Sequence, residues 1–144
     1  MEEDITIKKW VGGICIHNNS VFLIHRINKD NNFNKEYFVF PGKDVEGDEN
    51  IEEALQEAFL DFSLTIKLKE LIYLKEDDIN GQEFYYLCNY VFGNPSVREG
   101  SNEAEEMKGG EQVFIPIWVP ISELDTLVVY PESIKETLLE MIQQ

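Results

Sequence analysis

Apolar positions in this chain recur in two rhythms, one of strands and one of helices. Two apolar runs, Val11–Ile16 and Val21–Ile24, flank the polar, turn-forming His17-Asn18-Asn19-Ser20, which predicts a hairpin over Val11 to Ile27. Asn28 to Lys35 is polar except for Phe33 and has no period, which predicts a loop. Glu36–Phe40 is a short aromatic and β-branched strand, stopped by Pro41-Gly42, and Gly42 to Glu49 reads as a second loop. Asn50 is a good N-cap, with Glu53 three residues on in the capping-box position, so a helix is predicted from Ile51 to about Phe62. Leu64–Leu74 and Gln82–Phe92 follow as strands around a turn of Glu76-Asp77-Asp78 and Asn80-Gly81. The Gly-, Glu-, Asn- and Ser-rich stretch from Gly93 to Gln112 predicts a mobile loop. Val113–Val119 is a strand whose Pro116 and Pro120 predict an edge position or an irregular ending. One turn at Ser122–Leu124 and a closing helix over Pro131–Ile142 complete the pattern.

The order β-β-β-α-β-β-β-α, without repeats or a dividing linker, predicts a single domain over residues 1–144. Its class is α/β in the mixed α+β sense, one mixed sheet with helices packed against it.

Charge narrows the partners. Twelve Lys and Arg against 28 Asp and Glu give a formal net charge of −16 over 144 residues. Such a chain repels a nucleic-acid polymer and an anionic membrane, so neither is an expected partner. If its ligand carries phosphate, divalent cations must bridge the two. No apolar run reaches membrane-spanning length, and the start, Met1-Glu2-Glu3-Asp4, is acidic where a secretory leader is basic and then apolar. Cys15 and Cys88, far apart and each inside a strand, read as buried free thiols of a reducing, cytoplasmic compartment.

Chemistry concentrates in the first helix. At about 100° per residue, Ile51, Ala54, Leu55, Ala58, Phe59 and Phe62 share one arc, the core face. Glu49, Glu53, Glu57 and Asp61 fall at i+4 spacing and form a row of carboxylates beside it. Like charges so spaced destabilise a bare helix by a few tenths of a kcal/mol per pair, so the row invites a cation. One reading is a Mg²⁺ or Mn²⁺ site, since hard cations take oxygen ligands. The other is a solvated acidic face, unsurprising in a chain this acidic. The row by itself leaves both open.

The stretch from Phe40-Pro41-Gly42 to Leu64 resembles the signature of the Nudix hydrolases, G-x5-E-x7-R-E-U-x-E-E-x-G-U with U apolar. Gly12-Gly13, Phe22-Leu23-Ile24-His25-Arg26 and Trp118-Val119-Pro120-Ile121 with Glu123-Leu124 are similar to that family as well, so the resemblance runs from about Trp10 to Ile142. Taking Glu49 as the first glutamate of the signature would send two catalytic positions, Ala58 and Phe62, into the core. A register one residue earlier needs no gap and sets Gly42 as the glycine, Asp48 as the first acid and Gln56-Glu57 for Arg-Glu. It also sets Leu60-Asp61 for Glu-Glu and Ser63-Leu64 for the closing pair. That register keeps Glu57 and Asp61 on the flank, where ligands are needed, and is adopted here. Serine in place of the closing glycine costs little if the backbone there avoids a positive φ.

The resemblance implies an α/β/α sandwich and a Mg²⁺- or Mn²⁺-dependent pyrophosphohydrolase. Its substrate would be a small molecule, a nucleoside diphosphate linked to another moiety. It implies catalytic roles for Glu57 and Asp61, with metal held by Glu57, Asp61 and Glu53. From the residues themselves, the turn at Gly42 lets the backbone approach phosphate, and Arg26 near the end of its strand reads either as a bidentate phosphate contact or as a surface charge. The resemblance implies a late carboxylate in this region, as a base or third ligand, from Glu103, Glu105 or Glu106, while ordinary loop solvation is the other reading of each and the sequence does not choose among them.

Phe38, Tyr85, Tyr86 and Trp118 could stack on a base, although alternation assigns at least half of them to the core. His17 and His25 have no acid partner in sequence. Two departures from the signature, Gln56 for arginine and Leu60 for the middle glutamate, motivate an alternative: a non-catalytic nucleotide- or protein-binding module. A third reading is an acidic interaction domain in which the out-facing Leu60 contributes to a subunit contact, as in a homodimer.

Overall fold

The computed structural model describes residues 8–30, 33–77 and 81–142. The acidic start at residues 1–4, and Asp78 and Asn80 of the expected turn, lie outside the described residues. The predicted hairpin is formed by β1 (Lys9–His17) and β2 (Ser20–Asp30). Asn18 and Asn19 turn the chain with φ of 51° and 61°, a two-residue turn whose left-handed backbone asparagine tolerates well.

The polar stretch after it is not a loop. β2 continues to Asp30, and β3 (Phe33–Val39) returns along it, from Asp30 opposite Phe33 to Ile24 opposite Val39. Ladder hydrogen bonds do not depend on side-chain polarity, so the outer part of a hairpin carries a strand without an apolar rhythm. Gly42–Val45, also expected to be loop, is a short β4 that pairs with β1, Gly42 opposite Gly12. The two glycines permit it, because a Cβ on either would collide with the Trp10 indole that lies over them.

After α1 (Ile51–Leu60), β5 (Leu64–Asp77) and β6 (Gly81–Gly93) form a long antiparallel pair, with β6 parallel to β1. The region expected to be a mobile loop contains α2 (Asn102–Met107), capped by the buried Ser101. β7 (Gln112–Pro120) pairs with β2, a 3-10 turn covers Ile121–Thr126, and β8 (Val129–Tyr130) lies parallel to β3. The chain closes with α3 (Glu132–Ile142).

Strand order is β5-β6-β1-β2-β3-β8, with β4 on β1 and β7 on β2, one mixed sheet of eight strands. Alternation sorts its side chains to two faces. Val11 and Cys15 of β1 and Phe22 and Ile24 of β2 join Ala54, Leu55, Phe59 and Phe62 under α1. Ile14, Val21 and Leu23 join Ile134 and Leu138 under α3. A sheet buried on both faces between helices is the expected α/β/α sandwich. Among the described residues, no helix is long and apolar enough to cross a membrane.

Candidate active site

The first turn of α1 forms as its sequence predicts, with the Asn50 side chain accepting the Glu53 N–H at 3.2 Å. Ala54, Leu55, Ala58 and Phe59 are buried, which turns Glu53, Gln56, Glu57 and Leu60 outward. Glu53 and Glu57 line a groove between α1 and the start of β5, with Gln56, Leu60, Leu64, Thr65 and Ile66. Leu60 is 43% exposed.

Each of the next two carboxylates is held by a cation from outside the helix. Lys43 of β4 donates to Glu57 Oε2 at 3.2 Å and lies 3.6 Å from Glu49 Oε2. Burial works against its charge, but the hydrogen bond to Glu57 and the pull of Glu57, Glu49 and Asp61 outweigh it and hold its pKa above the ordinary lysine value. Asp61, the C-cap of α1, accepts from the Arg98 guanidinium at 2.5 Å. Its pKa is nevertheless raised, because burial and the nearby Glu57 charge outweigh Arg98 and Lys43.

Helix α1 ends in a backbone conformation that serine rarely adopts. Ser63 has φ of 67°, so the expectation that serine would avoid the left-handed region is corrected. Such a residue costs roughly 1–2 kcal/mol. Compensation comes from across the fold: Ser63 Oγ donates to the Ser96 carbonyl at 3.0 Å, and Ser96 Oγ donates to Ser63 Oγ at 2.8 Å. Ser96 N–H and Arg98 N–H also donate to the carbonyls of Phe62 and Asp61. The segment after β6 is thereby fastened to the end of α1, and α2 is delivered beside it.

That delivery selects among the three acidic candidates. Glu105 pairs outward with Lys108, and Glu106 is exposed. Glu103 is half-buried, and its Oε2 is buried without a hydrogen-bond partner. Burial raises its pKa. Its own backbone N–H opposes that rise, the charges of Asp61 and Glu106 add to it, and Arg26 again opposes it. Glu103 of α2 therefore senses the charges of Asp61, at the end of α1, and of Arg26 on β2.

Arg26 continues the inward row Phe22, Ile24 along β2. Its guanidinium carbon lies 4.8 Å from the Phe114 ring centre and 5.6 Å from that of Tyr37, a cation–π sandwich between β7 and β3. Its Nε, and Oδ1 of Asn28 two residues on, are also buried without partners. Three orphaned polar atoms on one side of the sheet are costly unless a ligand or water meets them. Sequence reasoning named Arg26 but missed Asn28, Arg98 and Lys43. Only the i+2 spacing of Asn28 from Arg26 could have signalled the first of these.

Gly42 is required by packing, being paired with Gly12 under Trp10. The aromatic candidates pack elsewhere. Trp118 stacks among Phe22, Tyr90 and His17, and Tyr85 is buried against Trp10, Phe40 and Tyr73. Tyr86 packs against the α1-side core, and Phe38 stacks on His25. His25 does have an acid partner, Glu36 across the β2–β3 ladder at 3.3 Å. Among the described residues, no three His, Cys, Asp or Glu side chains converge at metal-holding distance.

No family model matches this sequence, and no curated protein does. Solved structures do. A Nudix hydrolase from Nitrosomonas europaea superposes with a TM-score of 0.66 at 14% identity, over 96% of this chain and 90% of that one. A Nudix-family hydrolase from Clostridium perfringens gives 0.66 at 16% identity, over 94% and 96%. An ADP-ribose pyrophosphatase from Streptococcus suis gives 0.65 at 13% identity, over 96% and 94%. The chain has the fold of the Nudix hydrolases. At these identities the likeness is one of fold, and the roles of individual residues rest on the geometry above.

Proposed function

We propose that this chain is a Nudix-type pyrophosphohydrolase that cleaves a nucleoside diphosphate linked to another moiety, with Mg²⁺ or Mn²⁺. The observation that carries the reading is the set of buried, unpartnered polar atoms of Arg26, Asn28 and Glu103, with Glu103 near enough to Asp61 and Arg26 to feel their charges. A likeness of fold to a protein described as an ADP-ribose pyrophosphatase supports it.

The donor set suits a hard divalent cation: carboxylate oxygens only, with one of them, Glu103 Oε2, buried and unpartnered. Glu57 and Asp61 would be the principal ligands, with Glu103 of α2 and Glu53 as further candidates, and their side chains would have to draw together around the ion. A cation bound there would offset the diphosphate charge and acidify a water. Arg26, held between two rings, offers its free Nε–H to a phosphate oxygen. Glu103, whose proton affinity is raised, accepts the proton of the water that attacks phosphorus as the anhydride P–O bond breaks. The free thiols and acidity suit a cytoplasmic location, and the exposed Leu60 suits a homodimer contact.

The test is product release across deoxynucleoside triphosphates, nucleotide sugars and dinucleotides with Mg²⁺ or Mn²⁺. Hydrolysis that EDTA and Asp61→Asn each abolish supports the reading, and no product anywhere on the panel overturns it.

One observation favours a second reading, nucleotide binding without hydrolysis: Glu57 and Asp61 are already matched by Lys43 and Arg98. Calorimetric binding of a nucleotide that survives removal of divalent ions, in a protein with no turnover, would select it.

A further inference from the structure

We infer that the free edge of β5 pairs with the β5 of a second copy of this chain, the two strands running antiparallel about a two-fold axis between Ile72 and Tyr73. β5 ends the strand order, and among the described residues only β6 is hydrogen-bonded to it as a strand. Its other row of backbone N–H and C=O groups is therefore open to a further strand. Leu64 and Ile66, at its start, are buried with α1, whereas every residue from Lys69 to Glu76 is exposed or half-buried.

A strand that pairs with its own copy must be self-complementary, and residues facing across the axis must lie on the same side of the sheet. In a regular strand an odd-numbered and an even-numbered residue lie on opposite sides, so an axis between two residues would fail. β5 is not regular there. Its register slips between Leu71, opposite Tyr86, and Tyr73, opposite Tyr85. Such a bulge shifts the alternation by one. Ile72 and Tyr73 consequently both pack on the α3 side. Leu71 and Leu74, opposite Tyr86 and Phe84, both lie on the α1 side. Glu70 and Lys75, the next residues outward, share the α3 side, opposite Leu87 and Glu83. The axis thus sets Ile72 against Tyr73, Leu71 against Leu74 and Glu70 against Lys75, apolar on apolar and acid on base. Next outward, Lys69 meets Glu76.

The isolated chain leaves these groups unmatched. Leu71 and Leu74 are 44% and 46% exposed. Among the described residues, none of Lys69, Glu70, Lys75 and Glu76 joins an ion pair. The segment is also the place where two strongly acidic copies can approach. Lys67, Lys69 and Lys75 balance Glu70, Glu76 and Asp77, leaving residues 67–77 neutral in a chain of net charge −16. Lysines and bulges on an edge commonly discourage pairing. Here the bulge is what brings the like-sided residues into register, and each lysine about the axis has a glutamate facing it. One strand pair makes a small interface, so the dimer is a weak one, with Kd on the order of tens of micromolar.

The experiment is sedimentation of the full chain from about 5 to about 500 μM, a span that brackets such a Kd. Wild type passes from monomer to dimer. Glu70→Lys and Lys75→Glu each set like charges across the axis and weaken the dimer about tenfold, since symmetry counts every pair twice. The double variant restores the pairing and returns the constant to within about threefold of wild type. Glu70→Lys also lowers the net negative charge, so general repulsion alone would tighten the dimer, the opposite direction. Both positions are exposed, and urea unfolding of each variant at a concentration where it is monomeric checks that the fold is kept. Leu60→Gln, outside these pairs, changes the constant by less than about twofold. A chain that stays monomeric throughout overturns the inference and leaves the edge to a strand of another protein. A dimer that ignores both charge reversals, or that Leu60→Gln disperses, overturns it in favour of another face. Neither result bears on the hydrolase reading.

Discussion

Arg98 grips Asp61 twice, through its guanidinium at 2.5 Å and through its backbone N–H, which donates to the Asp61 carbonyl at 2.8 Å. The two residues are 37 positions apart, and between them lies the whole β5–β6 pair. The side-chain pair has one well-shielded member, Asp61, and one partly solvated member, Arg98. Arg98→Ala removes the guanidinium and keeps the backbone bond, so a loss of about 1 kcal/mol in urea unfolding is expected. It also removes one of the charges that hold the Asp61 pKa down, so that carboxyl rises further. In Arg98→Ala with Asp61→Asn the loss is smaller than the sum of the two single effects, because no unpaired charge is left behind.

Ser63 tests the junction that aims α2 at the cleft. Its left-handed φ favours glycine, while its hydroxyl and that of Ser96 exchange hydrogen bonds that glycine cannot make. Ser63→Gly relieves roughly 1 kcal/mol of backbone strain and gives up bonds of similar total value, so its stability stays within about 1 kcal/mol of wild type. Ser63→Ala gives up the bonds and keeps the strain, costing about 1–2 kcal/mol. Thermal or urea unfolding in which alanine matches glycine would remove the strained serine from this account.

Legibility in the sequence followed the range of the interactions. The Asn50 cap, the core arc of α1 and the Asn18-Asn19 turn are written within a few residues, and the sequence yields them. β4 and the outer half of the β2–β3 ladder depend on a distant partner, and their polar or glycine-rich sequences carry no alternation to announce it. The row Glu49, Glu53, Glu57 and Asp61 was legible as a spacing, although Glu49 precedes the N-cap of α1 and Asp61 is its C-cap. Its division was not, because Lys43 and Arg98 reach it from elements far off in sequence. Choosing Glu103 over Glu105 and Glu106 needed the anchor at Ser63 and Ser96 that sets how α2 faces the sheet. Nothing within the acidic segment encodes that.

Glu103 pits stability against activity. Its folded pKa is raised, so the folded state holds its proton more tightly than the unfolded chain does. The carboxylate is therefore a burden at neutral pH, and stability from this group grows as pH falls through the folded pKa toward the ordinary value near 4.5. Glu103→Gln removes the charge and keeps the shape. It should melt slightly higher than wild type at pH 7, with the difference shrinking in mild acid, and lose about 100-fold or more in hydrolysis. A variant that melts lower at pH 7 would mean that Glu103 is held by partners that stabilise its charge.

Cys15 and Cys88 lie opposite one another in the parallel β1–β6 pair, both buried and free under α1. Burial pushes each thiol up to about 12, and for Cys88 the neighbouring Cys15 adds to it. The unfolded chain releases these protons near 9.0, the folded protein only near 12. Their contribution to stability is therefore complete below pH 9 and drains away as pH rises from 9 toward 12, by about 1.4 kcal/mol per pH unit for each thiol. Cys15→Ala with Cys88→Ala costs packing at every pH, but it should flatten this alkaline slope relative to wild type. Urea unfolding under reducing conditions at pH 8, 9.5 and 10.5 measures the slope directly. In the native protein at pH 8 both thiols should react with a thiol reagent only as fast as the chain opens. Prompt labelling of either cysteine, or an unchanged slope in the double variant, would contradict the burial on which the argument stands.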